Sequence, residues 1–246
     1  MNEAFEILGS PKRNGILVVC DHASNFVPTE VTLGIDAGLL AQHIAWDIGV
    51  AGVASYLVEL SECAAFLATH SRLVVDLNRY PEDASAILTS SDGVVIVGNN
   101  LNPEQRQQRL DAYFHPYHTR LEQLLHTARP ALVLSIHSFT PRLETDPDGR
   151  RPWEIGILYN DHEAASLIAI DYLQGEGVIV GDQLPYSGKQ LNATMNRHAE
   201  ANDIPYVGIE IRQDLISDAA GQERFAALLA EMAQYIVESL ASGATT

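Results

Sequence analysis

The sequence predicts an α/β fold, a mixed, mostly parallel sheet with helices on both faces. Three observations carry this. Runs such as ILVVC at 16–20 and ALVLSI at 131–136 are apolar without alternation, as strands covered on both faces are. Stretches with apolar residues at helical spacing separate these runs. No Gly/Ser/Pro-rich linker or low-complexity tract divides the 246 residues, so residues 1–246 are expected to form a single domain. With 46% hydrophobic and 19% charged residues, the chain has the composition of a protein with a full core.

Taken in order, the strand at 16–20 follows the turn pair Asn14-Gly15. Residues 36–59 carry helical periodicity and predict one long helix, with a break at Gly49 or Gly52. Residues 64–69 and 73–77 predict two strands, and 90–102 is turn-rich. A helix is expected over 103–129, with Asn102 as its N-cap and Pro103 in its first turn. The strongest buried strand is 131–136, with another at 155–159. A helix over 163–174 stops at Gly175, and 178–180 predicts a short strand. Residues 191–202 predict a helix, 206–212 a strand, and 214–240 a closing helix.

Charge and cysteine usage restrict the function. The net charge of −17 comes from 32 acidic residues against 15 Lys and Arg, with no basic block. That argues against nucleic-acid partners and against anionic membrane surfaces. An anionic substrate would need a local cluster of arginines working against this field. Cys20 and Cys63 make no disulfide framework and fit a reduced, cytoplasmic setting. The first residues lack the basic-then-apolar order of a signal peptide, and no apolar stretch approaches the ~20 residues of a membrane span. The chain has no internal repeat.

In sheets of this kind, ligands gather beyond the C-terminal ends of the strands. Four predicted strands deliver polar groups there: Asp21 to Asn25, Asp76 to Arg79, His137 to Thr140, and Glu210 with Arg212. His22 and His137 are candidate metal ligands, because a neutral imidazole binds zinc and catalytic zinc takes three protein ligands plus an open position. Their separation matches no compact motif such as HExxH, and either one alone reads more readily as a hydrogen-bonded structural histidine; that both end core strands tips the reading to ligands. Asp47, four residues after His43, is the preferred third ligand, with His43 in reserve; the two would share one helix face. Asp21 is a further alternative, or the group that orients His22. Glu210 is a carboxylate inside the apolar run VGIEIR, a costly placement unless it is paired or functional. It predicts a general base and acid, the alternative being an ion pair with Arg212. Arg212, two residues on, faces the same side and is expected to join it by binding an anion. Arg72, Asn78 and Arg79 are expected to bind the substrate carboxylate. His115, His118, His126, His162 and His198 lie mostly in predicted helices and read as surface or core residues. Neither Ser24 nor Ser138 sits in a GxSxG elbow, which argues against a serine hydrolase.

Seven blocks, in order along nearly the whole chain, resemble the N-formylglutamate amidohydrolase family: CDHASNFVP, HIAWDIG, SRLVVDLNR, SDGVVIVGN, SIHSFTP, RPWEIGILY and VGIEIRQDLI. The resemblance implies a phosphorylase/hydrolase-like fold related to zinc carboxypeptidases and aspartoacylases. It places the metal on His22 and His137, the carboxylate grip on Asn78 and Arg79, and the general base on Glu210. The carboxypeptidase-like group has a glutamate three residues after its first histidine, where this chain has Asn25. The third ligand therefore stands open among Asp47, His43, Asp21 and Asn25. The implied activity is metal-dependent hydrolysis, with a divalent metal, Zn2+ by the resemblance, of a small anionic N-acyl (formyl-like) amino acid. A non-catalytic small-anion binding protein of the same fold, or a carboxypeptidase-like hydrolase acting on peptide C-termini, are the rival readings.

Overall fold

The computed structural model describes residues 3–243. The strands are β1 (Phe5–Leu8), β2 (Ile16–Cys20), β3 (Ala64–Ala68), β4 (Ser90–Ser91), β5 (Val94–Val95), β6 (Leu132–Phe139), β7 (Ile155–Leu158), β8 (Val180–Asp182) and β9 (Tyr206–Arg212). The helices are α1 (Val50–Leu60), α2 (Pro103–Arg109), α3 (His115–Ala128), α4 (Ala164–Gly175), α5 (Ala193–His198) and α6 (Ala219–Ser242). Seven strands form one sheet in the order β1-β3-β2-β6-β9-β7-β8, and β4 pairs with β5 in a separate hairpin. Strands β3, β2, β6 and β9 run parallel. Strand β1 closes one edge antiparallel to β3, while β7 runs antiparallel to β9 and carries β8 parallel to itself.

Both faces are covered, as the sequence predicts. Helices α1, α4 and α6 pack on Val18, Leu134, Ile136, Val207, Ile209 and Ile211. On the other face α3 and α5 pack on Leu17, Val19, Phe66, Val133 and Tyr206. Side chains alternate along a strand, so this partition fixes where the polar residues go. With Ile136 and Ile209 on the α1/α4/α6 face, His137 and Glu210 fall on the face of α3 and α5. No helix among the described residues is long and apolar enough to cross a membrane.

Several elements differ from the sequence expectation. Residues 36–59 are not one helix: a 3-10 turn at Ala37–Ala41 is followed by irregular chain, and α1 begins only after Gly49. Gly49 has φ 88°, and a Cβ there would run into the backbone oxygen and side chain of Ile216. Only glycine makes this turn. The apolar residues that mimic helical spacing, among them Leu40, Ala45 and Trp46, pack instead into a small separate cluster with Leu33, Leu73 and Ile96. Residues 73–77 are buried but form turns rather than a strand. The edge strand β1 has no counterpart among the predicted elements, and β8 lies two residues later than expected. The helix expected over 103–129 has the predicted start, with a complete capping box at Asn102 and Gln105. It passes through a π-turn at Leu110–Phe114 before α3. Pro116 lacks the N–H that an α-helical turn needs at that point, and a wide turn accommodates its absence.

One buried pair ties these layers together. His118 Nε2 donates to the Leu77 carbonyl at 3.0 Å, and His118 Nδ1 lies 2.8 Å from His198 Nε2. The Leu77 carbonyl can only accept, so His118 Nε2 is a donor, and with both rings neutral His198 Nε2 is the donor to His118 Nδ1. Burial, then the Arg197 charge, pushes His198 down to about 4; burial first, and the repulsion a proton would meet from a protonated His198 and from Arg197, hold His118 well below its usual value. Below about pH 6.5 the unfolded chain takes up protons that the folded pair refuses, so stability falls with pH in that window. Urea midpoints measured between pH 6.5 and 5 carry this pair's contribution as a decline toward acid pH in the native protein. The decline should be shallower in His198→Gln, by on the order of 1 kcal/mol per pH unit. Equal slopes in the two proteins would contradict the neutral-pair assignment.

Candidate active site

Three separate chain segments converge at the C-terminal edge of the parallel strands. The first is the end of β2, which delivers Asp21 and His22. The second is the loop before α1. There the Asp47 amide donates to the His22 carbonyl at 2.9 Å, and Ser138 reaches back with its hydroxyl to the Ile48 carbonyl at 3.0 Å and its amide to Asp47 Oδ2 at 3.3 Å. The third is β6, where His137 stands one residue before Ser138. Because β6 and β9 are parallel and His137 pairs in register with Glu210, these two side chains stand next to each other on one face.

The geometry is that of a ligand set. His22 Nδ1 and His137 Nδ1 point at the same oxygen, Asp47 Oδ2, at 3.3 and 2.9 Å. One ligand atom from each of the three residues lies within 4.8 Å of the others, and all three residues are buried. The far nitrogen of each ring is occupied. His22 Nε2 lies 2.8 Å from Asp76 Oδ1, while His137 Nε2 lies 3.3 Å from Ser135 Oγ and 3.7 Å from Asp21 Oδ2. A carboxylate behind an imidazole fixes the tautomer and leaves the other nitrogen for a metal. These residues could hold a divalent ion.

Electrostatics show how much positive charge the cluster attracts. Burial and the Arg72 charge lower the basicity of His22, but Asp76 and Asp47 outweigh them and push it up to about 9. Burial works against His137 as well, and its hydrogen bond and charge interaction with Asp47 raise it. Burial would raise Asp47, yet the facing histidines hold it well below the usual carboxylate range. A pocket that holds protons this firmly between two imidazoles and a carboxylate is one in which a cation can take their place.

The segment at 71–79 positions the rest. It has no ladder partner, so its backbone groups are satisfied otherwise. The Ser71 amide donates to the Phe26 carbonyl, the Asp76 amide to the Ala86 carbonyl, and the Asn99 side chain to the Leu73 carbonyl. Arg72 is committed to bridging two carboxylates, with Nη2 at 2.7 Å from Asp76 and Nη1 at 3.3 Å from Asp47. Asn78 accepts from the Thr194 amide through Oδ1, which leaves its amide nitrogen as a free donor. Arg79 bonds the Asn78 carbonyl. A cavity of about 140 Å3 lies over the site, walled by His43, Asn78, Arg79, Tyr186, Leu191 and Glu210 together with the three cluster residues. Glu210 is only 9% exposed, and its Oε2 is buried without a hydrogen-bond partner. Burial first, then the Asp47 charge, pushes it up to about 7 against the pull of His137, Arg72 and His22.

The structure thus brings His22, Asp47, His137, Arg72, Asn78, Arg79 and Glu210 around one cavity. Arg212 is not among them. Its guanidinium pairs with Asp214 at 2.8 Å and bonds the carbonyls of Pro152 and Trp153, so it is spent on the adjoining turn. Asp47 and His43 share no helix face, since both lie in irregular chain; His43 Nε2 stands 3.1 Å from Asp92 instead. The Asn25 side chain donates to the Leu40 carbonyl and takes no part in the cluster. The group that orients His22 is Asp76, while Asp21 accepts from Tyr117 at 2.8 Å and lies behind His137. Tyr186, in an irregular loop, had no strand-end signal that could have singled it out.

A family model for N-formylglutamate amidohydrolase matches residues 14–217. The chain belongs to that family. Its fold superposes with TM-score 0.91 on a gene product of Agrobacterium tumefaciens, 32% identical, covering 97% of this chain and 96% of the other. The N-formylglutamate amidohydrolase of Ralstonia eutropha has a TM-score of 0.77 at 17% identity, covering 98% of this chain and all of the other, a likeness of fold. No curated protein sequence matches the chain. Family membership supports amidohydrolase activity, and the cluster of His22, Asp47 and His137 could hold a metal.

Replacing Asp76 by Asn keeps a neutral acceptor behind His22 but removes its charge. Zinc affinity measured by competition with a chromophoric chelator is expected to fall roughly 10–100-fold, and Asp47→Ala to abolish stoichiometric binding. Unchanged affinity in both variants would exclude this cluster as a metal site.

Proposed function

We propose that the protein hydrolyses the amide bond of a small N-acylated acidic amino acid, using Zn2+ held by His22, Asp47 and His137. The observation that carries this reading is the position of Glu210: in register with His137 across β6 and β9, facing the cavity, with one carboxylate oxygen buried and unpartnered. A buried carboxylate left without a partner is expensive, and a site that uses its free oxygen for proton transfer gives it a reason to be there.

When bound, the ion supplies Lewis acidity, which lowers the pKa of a water and polarises a carbonyl. The remaining work falls to the chain. Glu210 removes a proton from the water that attacks the carbonyl carbon, holds it on its carboxylate, and returns it to the nitrogen of the departing amine. Arg79 and Asn78 clamp the substrate carboxylate and so fix the amide relative to Glu210. Arg72, bridging Asp47 and Asp76, balances the buried negative charge rather than meeting substrate. Arg79 at the cavity supplies the local positive charge that an anionic substrate needs in a chain of net charge −17.

Size supports a small substrate. Ligand pockets commonly span about 300–1,000 Å3. A cavity of about 140 Å3 suits an amino acid with a short acyl group, formyl included, better than a peptide end, which needs an open cleft. Asn25 favours a non-catalytic reading only as third ligand, and the Asp47 carboxylate beside both histidines supports the catalytic one. The two free, buried cysteines suit a cytoplasmic setting.

The test is turnover of N-formyl- and N-acetyl-glutamate and -aspartate by the zinc-loaded protein. Chelation should abolish it and zinc restore it. Glu210→Gln should retain zinc yet lose kcat on the order of 10²–10⁴-fold. Arg79→Ala should raise KM far more than it lowers kcat. Turnover that survives both chelation and Glu210→Gln would overturn the mechanism.

A further inference from the structure

The cavity has one polar wall that the proton-transfer scheme does not use. Tyr186 lines it from the loop after β8, on the side of Glu210. The loop is seated by glycines. Gly156 is the register partner of Glu210 on β7, and a Cβ there would collide with the Leu184 carbonyl. A Cβ on Gly181 would meet that same carbonyl, and one on Gly188 would meet the Tyr159 backbone. Gln183 adds two bonds, donating to the Tyr159 carbonyl at 2.7 Å and accepting from the Gly188 amide at 2.8 Å. The loop therefore rests directly on β7, one strand away from Glu210, with Tyr186 between its anchors.

The hydroxyl of Tyr186 is itself oriented. Arg151 Nη1 donates to it at 3.0 Å and also bonds the Thr140 carbonyl at 3.3 Å, while the guanidinium lies over the phenol ring, 5.2 Å from its centroid. A guanidinium has only donors, so it must occupy a lone pair of the phenol oxygen. The phenolic hydrogen is left to point elsewhere. Tyr186 shares a cavity of only about 140 Å3 with Glu210, His22, Asp47 and His137, so its free donor is available to a group held among them.

We propose that Tyr186 donates its phenolic hydrogen to the oxygen of the scissile carbonyl as negative charge develops there, and that Arg151 is the residue that positions it. This deepens the hydrolase reading above and rests on it. Tyr186 transfers no proton; it supplies a hydrogen bond that strengthens between ground state and transition state, and the Arg151 charge makes its O–H a better donor. Arg151 acts only through Tyr186.

Kinetics of the zinc-loaded protein test this with Y186F, R151Q and the double variant, each first shown to melt within a few degrees of the native protein. Y186F should lower kcat on the order of 10²-fold with KM within about threefold, since one oxyanion donor is lost. R151Q should lower kcat less, R151K should recover part of the loss, and the double variant should be no slower than Y186F alone. An unchanged kcat in Y186F, a loss confined to KM, or losses that multiply in the double variant would overturn the proposal. Calorimetry supplies a readout without turnover. A phosphonamidate analogue with tetrahedral phosphorus in place of the carbonyl should bind Y186F at least tenfold more weakly, while the product amino acid binds equally. If the native protein turns over substrate and binds the analogue but Y186F matches it, only the role of Tyr186 fails. If the native protein does neither, the hydrolase reading fails and the role of Tyr186 with it.

Discussion

Asp47 and Asp76 are buried carboxylates, and a charge taken out of water is tolerable only in the company of opposite charge and hydrogen bonds. The site is organised around satisfying them. Arg72 spans both, His22 lies between both, and His137 closes on Asp47 from β6. Each of these contacts joins segments far apart in sequence, so the charge balance of the site and the assembly of the sheet edge are one problem. With a divalent ion between the two imidazoles and Asp47, that balance is met by metal rather than by protons. Folding and metal affinity are then linked.

The sheet gives this cluster its precision. Parallel pairing of β6 with β9 sets His137 beside Glu210 without any loop having to choose a conformation. Loops carry the adjustable parts. Gly49 turns the chain so that Asp47 meets both histidines, and the 71–79 segment, tied down by side-chain bonds from Asn99, His118 and Thr194, presents Asp76, Asn78 and Arg79. A rigid pair on strands with a supporting shell on anchored loops is the arrangement expected of a site that must hold its reactive groups within a fraction of an ångström.

The parts of this legible in the sequence are those governed by short-range pattern. ILVVC, ALVLSI and VGIEIR are apolar without alternation because both faces of those strands are covered, and they stand as β2, β6 and β9. Glu210 is conspicuous because it interrupts such a run. Where the reading failed, a tertiary contact decided the outcome. The apolar 73–77 stretch resembles a strand, but no neighbouring strand is there to pair with it, and side chains satisfy its carbonyls instead. Residues 36–48 resemble a helix because their apolar side chains serve a local cluster. The sequence offers Asp21 as the group behind His22, but the partner lies 54 residues on at Asp76, since nothing local marks a bond made across the fold. Arg212 shares the strand face of Glu210, but a carboxylate two residues away captures it.

In the proposed site His22, His137 and Asp47 would together hold a single cation, with Nδ1 of each ring and Asp47 Oδ2 the atoms turned toward one another. Anomalous diffraction at the zinc edge from crystals grown with zinc tests it most directly. One strong peak is expected at about 2.0–2.2 Å from each of those three atoms, with Glu210 facing it across the cavity. A peak ligated through Nε2, a peak elsewhere on the chain, or none between the two histidines would contradict it.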